Sequence, residues 1–128
     1  AVTALVSGGF TFFTQAIAGQ AGFETHAGNV LHIEHGSLTG TVASPILDKH
    51  SKAAMLQKLC EEKNIAPQHS MALGDGANDL PMLLAAGLGV AYRAKPAVRE
   101  AASAQLNYCD LSYLLYAQGI EKSQWVSA

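Results

Sequence analysis

The sequence predicts an α/β fold in which a mostly parallel sheet is flanked by helices. Short apolar runs alternate with segments of helical periodicity, and this alternation is the order that builds parallel sheets. A length of 128 residues suits one domain, and 49% hydrophobic with 14% charged residues is typical of a globular protein. The alternation is interrupted over residues 25–42, where the pattern predicts a small β-hairpin insertion.

The first half of the chain carries four strand-like segments and two helical ones. In chain order these are a strand over residues 1–6, a helix over 10–20, strands over 23–26, 30–34 and 38–42, and a helix over 49–63. Gly22 is placed to end the first helix. Asp48 precedes the second helix, where an aspartate can cap free backbone amides.

The second half repeats the alternation. It predicts a strand over residues 71–73, a helix over 79–86, a strand over 88–92, a helix over 96–102, a strand over 105–108 and a helix over 111–117. Gly87 is predicted to end the helix that starts at Asp79. We predict a core domain over residues 1–118 and a loosely held tail over 119–128, in which Trp125 is either decoration or a docking residue.

Charge and hydropathy disfavour several classes of protein. The formal net charge of −2 gives no basic footprint for nucleic acid. No apolar stretch approaches the ~20 residues that span a bilayer, so we expect no membrane partner. Two cysteines outside any C-x-x-C pair are consistent with a reducing compartment, and we expect a cytoplasmic location.

The strongest chemical signal is the run Gly-Asp-Gly-Ala-Asn-Asp over residues 74–79, between a predicted strand and a predicted helix. Open α/β sheets bind ligands at the carboxyl ends of their strands, and Asp75 and Asp79 can both face that edge. Such hard oxygen ligands suit Mg²⁺. The alternative is an ordinary helix start that Asp79 caps. A dinucleotide-binding loop is disfavoured, because Asp79 stands at its third glycine and would repel a pyrophosphate.

A second candidate site is the run Ser7-Gly8-Gly9, which also falls between a predicted strand and a predicted helix. A hydroxyl and free backbone amides at a helix start form an anion site, although an ordinary cap is the alternative. The acidic loop at another strand end favours phosphate. Lys52, early in its helix, would offset phosphate charge, with a solvated lysine as the default reading and Lys49 as its competitor.

Together these segments resemble the phosphoserine phosphatase family of the haloacid dehalogenase superfamily, over residues 5–110. Residues 5–11, Leu-Val-Ser-Gly-Gly-Phe-Thr, resemble the second motif of the family. Residues 74–82, Gly-Asp-Gly-Ala-Asn-Asp-Leu-Pro-Met, resemble its fourth motif, and Lys52 stands where the family has its third-motif lysine. Residues 29–40 resemble its hairpin segment.

The resemblance implies a role for each matching position. It implies phosphate or substrate contacts from Ser7, Gly8, Gly9, Lys52 and Asn78, a Mg²⁺ site at Asp75 and, through water, Asp79, and catalytic roles for Lys52 and Asp79. The family hydrolyses O-phospho-L-serine to L-serine and phosphate, a step of serine biosynthesis, by forming an aspartyl-phosphate. These activities are what the resemblance leads us to expect.

One departure from the family is decisive. Its first motif, D-x-D-x-[TS], supplies the nucleophile, and none of the four aspartates, Asp48, Asp75, Asp79 and Asp110, forms a pair with that spacing. The substrate-selecting helical cap and the central strand belong to the same segment of the family. We therefore expect the C-terminal part of a phosphatase, without first strand, cap or nucleophile, that does not turn over alone.

Several alternatives remain open at this point. A related phosphatase or phosphotransferase could act on another small phosphomonoester, and an inactive phosphate- or metal-binding module is a third possibility. A cation-pumping ATPase shares the acidic loop but needs membrane spans and an aspartyl-lysine-threonine motif. Because loss of a central strand exposes ladder groups on its neighbours, we also expect self-association or completion by a missing N-terminal segment.

Overall fold

Strands and helices alternate along the chain in the computed structural model, which describes residues 1–126. The elements are β1 (Ala4–Phe10), α1 (Thr11–Ala21), β2 (Thr25–Asn29), β3 (Leu31–Glu34), β4 (Ser37–Val42), α2 (Lys49–Glu62), β5 (Met71–Gly74), α3 (Leu80–Ala85), β6 (Leu88–Tyr92), α4 (Pro96–Ala101), β7 (Ala104–Leu106) and α5 (Tyr113–Ala117). Short 3₁₀ turns lie at Pro67–His69, Ala77–Asp79 and Lys122–Gln124. The predicted α/β class is confirmed.

The strands of the described residues form three separate sheets. β5, β6 and β7 form a parallel sheet in that order, β1 and β2 form a parallel pair, and β3 with β4 forms the predicted antiparallel hairpin. β1 and β5 are not paired with each other, so within residues 1–126 each has one edge without a partner strand.

The buried core lies between the three-stranded sheet and the helices that follow its strands. It consists of Ala72 on β5, Ala91 on β6, Leu83 on α3 and Val98 on α4. α3 packs closely on β6 because Gly89 has no side chain: a Cβ there would lie 2.1 Å from the carbonyl oxygen of Leu83. The contact sets how closely α3 approaches β6.

Gly87 has a different role from the predicted one. α3 ends at Ala85, and its C-cap residue is Ala86 in an extended conformation, so the expectation that Gly87 caps this helix is wrong. A Cβ at Gly87 would lie 2.0 Å from the carbonyl oxygen of Gln68. The glycine is needed for this close approach of two backbone segments.

β1 is longer than predicted. It continues through the Ser-Gly-Gly run to Phe10, and α1 begins only at Thr11. β2 is also longer than the predicted segment 23–26, and its last residue, Asn29, pairs with Phe10 after an irregularity in the register. The expectation that Ser7, Gly8 and Gly9 lie at a helix N-terminus is therefore wrong, because these residues belong to β1.

α2 begins where the sequence predicts. One carboxylate oxygen of Asp48 accepts hydrogen bonds from the backbone amides of His50 and Ser51, each at 2.9 Å, and the Ser51 hydroxyl accepts from the Asp48 amide. These bonds form a capping box at the helix start. The cap fixes the first turn of α2, which carries Lys52.

The segment after α5 packs back on that helix. The indole of Trp125 lies 5.1 Å from the ring of Tyr116, and its Nε1 donates to the carbonyl oxygen of Ile120. Trp125 is therefore a docking residue. Residues 127–128 of the predicted tail lie outside the described residues, and the domain boundary after residue 118 stays a prediction. Within residues 1–126, no helix combines the length and the apolar character that crossing a bilayer requires.

Candidate active site

The predicted site residues lie at the ends of two parallel strands and on one helix. Ser7, Gly8 and Gly9 lie near the carboxyl end of β1, and Asp75 follows the carboxyl end of β5. Lys52 lies in the first half of α2. Carboxyl ends of parallel strands are where open α/β sheets bind their ligands.

Lys52 and Asp79 form a buried ion pair. The lysine Nζ lies 2.5 Å from Oδ1 of Asp79, and the two side chains are only 9% and 8% exposed. The default reading of Lys52 as a solvated lysine is therefore wrong. Because Lys52 carries three ammonium hydrogens, two remain for an anion or a second carboxylate after this bond.

The other oxygen of Asp79 closes the acidic loop. Oδ2 accepts hydrogen bonds from the backbone amides of Asp75 and Gly76, both at 3.1 Å. Gly74 permits this fold, since a Cβ there would lie 2.4 Å from Cβ of Asp79. Asp79 thus fixes both Lys52 and the backbone of Asp75. Its water-mediated metal contact and its catalytic role stay predictions.

Asp75 faces the other way, toward solvent. Its residue is exposed, and within residues 1–126 its carboxylate has no hydrogen-bond or ion-pair partner. It borders a cavity of about 250 Å³ whose other walls are Leu73, Gly74, Tyr92 and Arg93. A free carboxylate beside such a cavity has the donor chemistry of a Mg²⁺ ligand.

The metal site is not complete within the described residues. No group of three or more His, Cys, Asp or Glu side chains in residues 1–126 is arranged to hold a metal ion. Asp75 fits one position of a Mg²⁺ shell, which in proteins commonly has one or two carboxylates, several waters and phosphate oxygens.

Sequence reasoning missed two residues that line the cavity beside Asp75. Tyr92 ends β6, and Arg93 follows it with φ of 45°, in the left-handed region that is uncommon for a residue other than glycine. The position of these residues after the neighbouring parallel strand was a usable signal. The sequence pattern drew attention to the glycine-rich ends of other strands and to Lys52 instead.

The Ser-Gly-Gly segment combines an exposed backbone with a partly free hydroxyl. Gly8 and Gly9 are exposed, and the Gly9 amide donates to Oγ of Ser7 at 3.0 Å. Because a serine hydroxyl can donate while it accepts, the Ser7 proton remains available for an anion. The Gly8 carbonyl accepts a 2.8 Å hydrogen bond from Nδ2 of Asn29, a residue that the sequence pattern did not single out for the site.

Asn78 lies on the exposed side of the acidic loop. A Cβ at Gly76 would lie 2.4 Å from Oδ1 of Asn78, so glycine leaves room for this amide over the loop backbone. An exposed side-chain amide can donate to a phosphate oxygen, and its predicted contact with substrate or phosphate stays a prediction. The acidic loop and Lys52 thus offer an amide, an ammonium group and a carboxylate, a chemistry that suits a phosphate and a divalent cation. Within residues 1–126, no hydrogen bond or ion pair joins the Ser7 hydroxyl to them.

Comparison with known proteins shows the family. A family model described as haloacid dehalogenase-like hydrolase matches residues 31–110, which is more than half of the chain. The chain therefore belongs to the haloacid dehalogenase-like hydrolases. This agrees with the resemblance of its acidic loop and hairpin.

The sequence is similar to curated phosphoserine phosphatases. It is 47% identical over 113 residues to phosphoserine phosphatase from Haemophilus influenzae, covering 88% of this chain and 36% of that protein. It is 45% identical over 120 residues to phosphoserine phosphatase from Streptomyces coelicolor, covering 94% of this chain and 29% of that protein. The chain thus spans about a third of the length of these two relatives.

The fold is similar to solved structures of the same kind. A probable phosphoserine phosphatase from Vibrio cholerae superimposes with a TM-score of 0.84 at 36% identity, covering 93% of this chain and 39% of that one. A structure described as a phospho-aspartyl intermediate analogue of phosphoserine phosphatase superimposes with a TM-score of 0.81 at 35% identity, covering 89% and 55%. At 36% and 35% identity, the two structures are similar to this chain in sequence as well as in fold.

Proposed function

We propose that this chain forms the phosphate-binding and metal-carboxylate part of a Mg²⁺-dependent phosphoserine phosphatase. The observation that carries the proposal is the double engagement of Asp79, which binds Lys52 with one oxygen and the backbone of Asp75 with the other. This places a buried ammonium group behind the loop whose free carboxylate faces the cavity. The similarity to phosphoserine phosphatases supports the reaction, because the matches cover 88% and 94% of this chain at 47% and 45% identity.

Each residue of the site has a defined task in this proposal. The Ser7 hydroxyl donates to a phosphate oxygen, and the Lys52 ammonium offsets the charge that gathers as two anionic groups approach. Asp75 holds Mg²⁺, which when bound lowers the electrostatic cost of bringing a carboxylate to a phosphate. Asn78 orients the substrate or its phosphate.

The proposed chemistry is a two-step transfer of the phosphoryl group. An aspartate attacks phosphorus, the bond to the serine oxygen breaks, and the leaving oxygen takes a proton from an acid. Water then attacks the aspartyl-phosphate and releases inorganic phosphate. Since no D-x-D-x-[TS] pair occurs in the 128 residues, we place the nucleophile and the acid in chain outside this sequence. That segment would also supply the further metal ligand.

O-Phospho-L-serine as the substrate, serine biosynthesis as the setting and the cytoplasm as the location belong to the same proposal. The similarity to phosphoserine phosphatases supports this substrate, and the setting and the location follow from the family resemblance alone. Self-association and completion by an N-terminal segment are also proposals, and they are supported by the unpaired edges of β1 and β5. A phosphotransferase with the same site is the second candidate function.

A chimera tests the proposed reaction. The part of the Haemophilus influenzae relative that precedes its match to this chain is joined in front of the chain. Phosphorus NMR follows O-phospho-L-serine and inorganic phosphate, and proton NMR follows serine. We expect equal amounts of serine and inorganic phosphate, and no product without Mg²⁺. Transfer of phosphate to added alcohols in preference to water would favour the phosphotransferase. A chimera that is folded and binds Mg²⁺ but does not hydrolyse O-phospho-L-serine would contradict the proposed phosphatase activity.

A further inference from the structure

Asn29 joins the two halves of the proposed phosphate site through its side-chain amide. The residue is buried, with 7% of its surface exposed, at the carboxyl end of β2. Its Nδ2 donates to the carbonyl oxygen of Gly8 at 2.8 Å, and its Oδ1 accepts from the backbone amide of Leu47 at 2.7 Å. Because each end of the amide has a fixed partner, the side chain has one orientation.

The bond to Gly8 sets the orientation of a whole peptide group. The Gly8 carbonyl and the Gly9 amide belong to one planar trans peptide unit, in which the C=O and N–H bonds point in opposite directions. With the carbonyl held against β2 by Asn29, the Gly9 N–H points away from β2. It is found there, donating to Oγ of Ser7 at 3.0 Å.

The same peptide group has little else to hold it. Glycines on both sides impose little steric restriction on φ and ψ, so rotation of the peptide between them is inexpensive. Gly8 and Gly9 are exposed, and no neighbouring atom lies within 4 Å of a Cβ position at Gly8. A buried amide is therefore the contact that selects one of the orientations open to this peptide.

The second bond of Asn29 reaches the helix of Lys52. Leu47 precedes Asp48, the capping residue of α2. Oδ1 of the Asn29 side chain therefore holds the segment that leads into that helix. One side chain thus fixes both the peptide beside Ser7 and the entry to α2. Tying two phosphate-binding elements together preserves their relative positions when an anion enters between them.

We propose that Asn29 is the positioning residue of the phosphate site, acting through the Gly8–Gly9 peptide group rather than by touching the substrate. The proposal rests on the proposed function for the role of Ser7 and Gly9 toward phosphate. It makes the presentation of the Gly9 N–H and the Ser7 hydroxyl depend on a residue remote in sequence.

Two substitutions separate the two bonds of Asn29. Asn29→Asp keeps an oxygen acceptor for the Leu47 amide but removes the donor to Gly8, whereas Asn29→Leu removes both at similar volume. Asn64→Asp is the matched control, since it makes the same change of charge at an exposed position beyond the C-terminal end of α2. The protein is the 128-residue chain, labelled with ¹⁵N.

Five quantities are measured on each variant: the hydrogen exchange rate and the chemical shift of the Gly9 amide without ligand, the affinity for inorganic phosphate, the affinity for Mg²⁺, and the melting temperature. In Asn29→Asp we expect Gly9 exchange to rise and phosphate affinity to fall by about tenfold, the size of one lost charge-assisted hydrogen bond, with Mg²⁺ affinity unchanged. A merely structural defect would also weaken Mg²⁺ binding and lower the melting temperature of the whole chain.

The inference is overturned if, in Asn29→Asp, either the exchange rate of the Gly9 amide or the affinity for phosphate is the same as in the wild type. If Asn29→Leu does not fold, Asn29→Asp alone decides, because it retains the bond to Leu47. A wild-type chain that binds no phosphate, even with Mg²⁺, contradicts the proposed function instead. In that case the Gly9 exchange rate still shows whether Asn29 orients the peptide.

Discussion

The ammonium nitrogen of Lys52 lies 2.5 Å from Oδ1 of Asp79, across 27 residues of sequence, in an ion pair that is almost completely buried. The pair fastens α2 to the acidic loop after β5. The second oxygen of Asp79 accepts from the backbone amide of Asp75. The Asp79 carboxylate therefore fixes the Lys52 ammonium group and the backbone of the loop that carries Asp75.

Replacing Asp79 by Asn should destabilise the chain strongly. The change leaves the Lys52 ammonium buried without a counter-charge, and breaking one side of a buried pair costs roughly 3–5 kcal/mol of unfolding free energy. Urea denaturation followed by circular dichroism measures the difference. Lys52→Met in the Asp79→Asn background should recover part of the loss, since the unpaired charge is then removed.

The exposed pair Lys58–Glu62 is the matched control for this effect. Its charged atoms are 3.7 Å apart, and its side chains are 66% and 52% exposed. We expect Glu62→Gln to change the unfolding free energy by less than about 1 kcal/mol, because solvent screens such pairs. Equal losses for Asp79→Asn and Glu62→Gln would contradict a structural role for the buried pair.

Gly89→Ala should loosen the contact between α3 and β6. The added methyl would meet the Leu83 carbonyl oxygen at 2.1 Å, and overpacking of this kind costs roughly 1–3 kcal/mol. Gly19→Ala is the control, because Gly19 lies within α1 with open space around a Cβ and should gain roughly 0.5–1 kcal/mol. Thermal melts of both variants check the opposite signs. A stabilised Gly89→Ala chain would show that the two backbones are not held this close.

The cap of α2 should make stability depend on acid. Hydrogen bonds from the Ser51 amide and then the Ser51 hydroxyl hold the pKa of Asp48 below its ordinary value of 3.8. A group whose pKa is lowered by folding stabilises the folded state above its unfolded pKa, and this contribution is lost as the pH falls through the folded pKa. The contribution is therefore present above pH 3.8 and disappears below it.

Asp48→Asn isolates that dependence, because asparagine can accept the same amide hydrogen bonds but does not titrate. Melting temperatures of both chains are compared between about pH 6 and about pH 3. The wild type should lose a few degrees more than Asp48→Asn over this range. Parallel curves would mean that Asp48 does not titrate as the cap of α2.

Local patterns in the sequence predicted most of the fold. The helix cap at Asp48, the hairpin around residues 35–36 and the strands β5 and β6 lie where periodicity and turn residues placed them. These features depend on neighbouring residues, so a single sequence contains them. The acidic loop was also predicted, because two glycines and two aspartates directly after an apolar run favour a turn at the end of a buried strand.

Contacts between distant segments could not be predicted in the same way. Nothing near Lys52 in the sequence shows that its ammonium is buried against Asp79, and nothing near Asn29 shows that it holds Gly8 and Leu47. The extension of β1 through Ser7 depends on pairing with β2, which is a tertiary contact. Even Gly87 was assigned a local task, whereas its actual constraint comes from Gln68.

The central claim is that the loop of Asp75 and the strand end of Ser7 bind a phosphate together with Mg²⁺. Isothermal titration of the chain with inorganic phosphate, with and without Mg²⁺, measures this directly in the wild type, in Asp75→Asn and in the exposed-carboxylate control Asp110→Asn. We expect Mg²⁺ to strengthen phosphate binding about tenfold or more in the wild type and in Asp110→Asn, and to have no effect in Asp75→Asn, because Asp75 is the proposed protein ligand that would bring the ion to the phosphate. Phosphate binding that ignores Mg²⁺ in the wild type, or that responds to it equally in Asp75→Asn, would contradict the account.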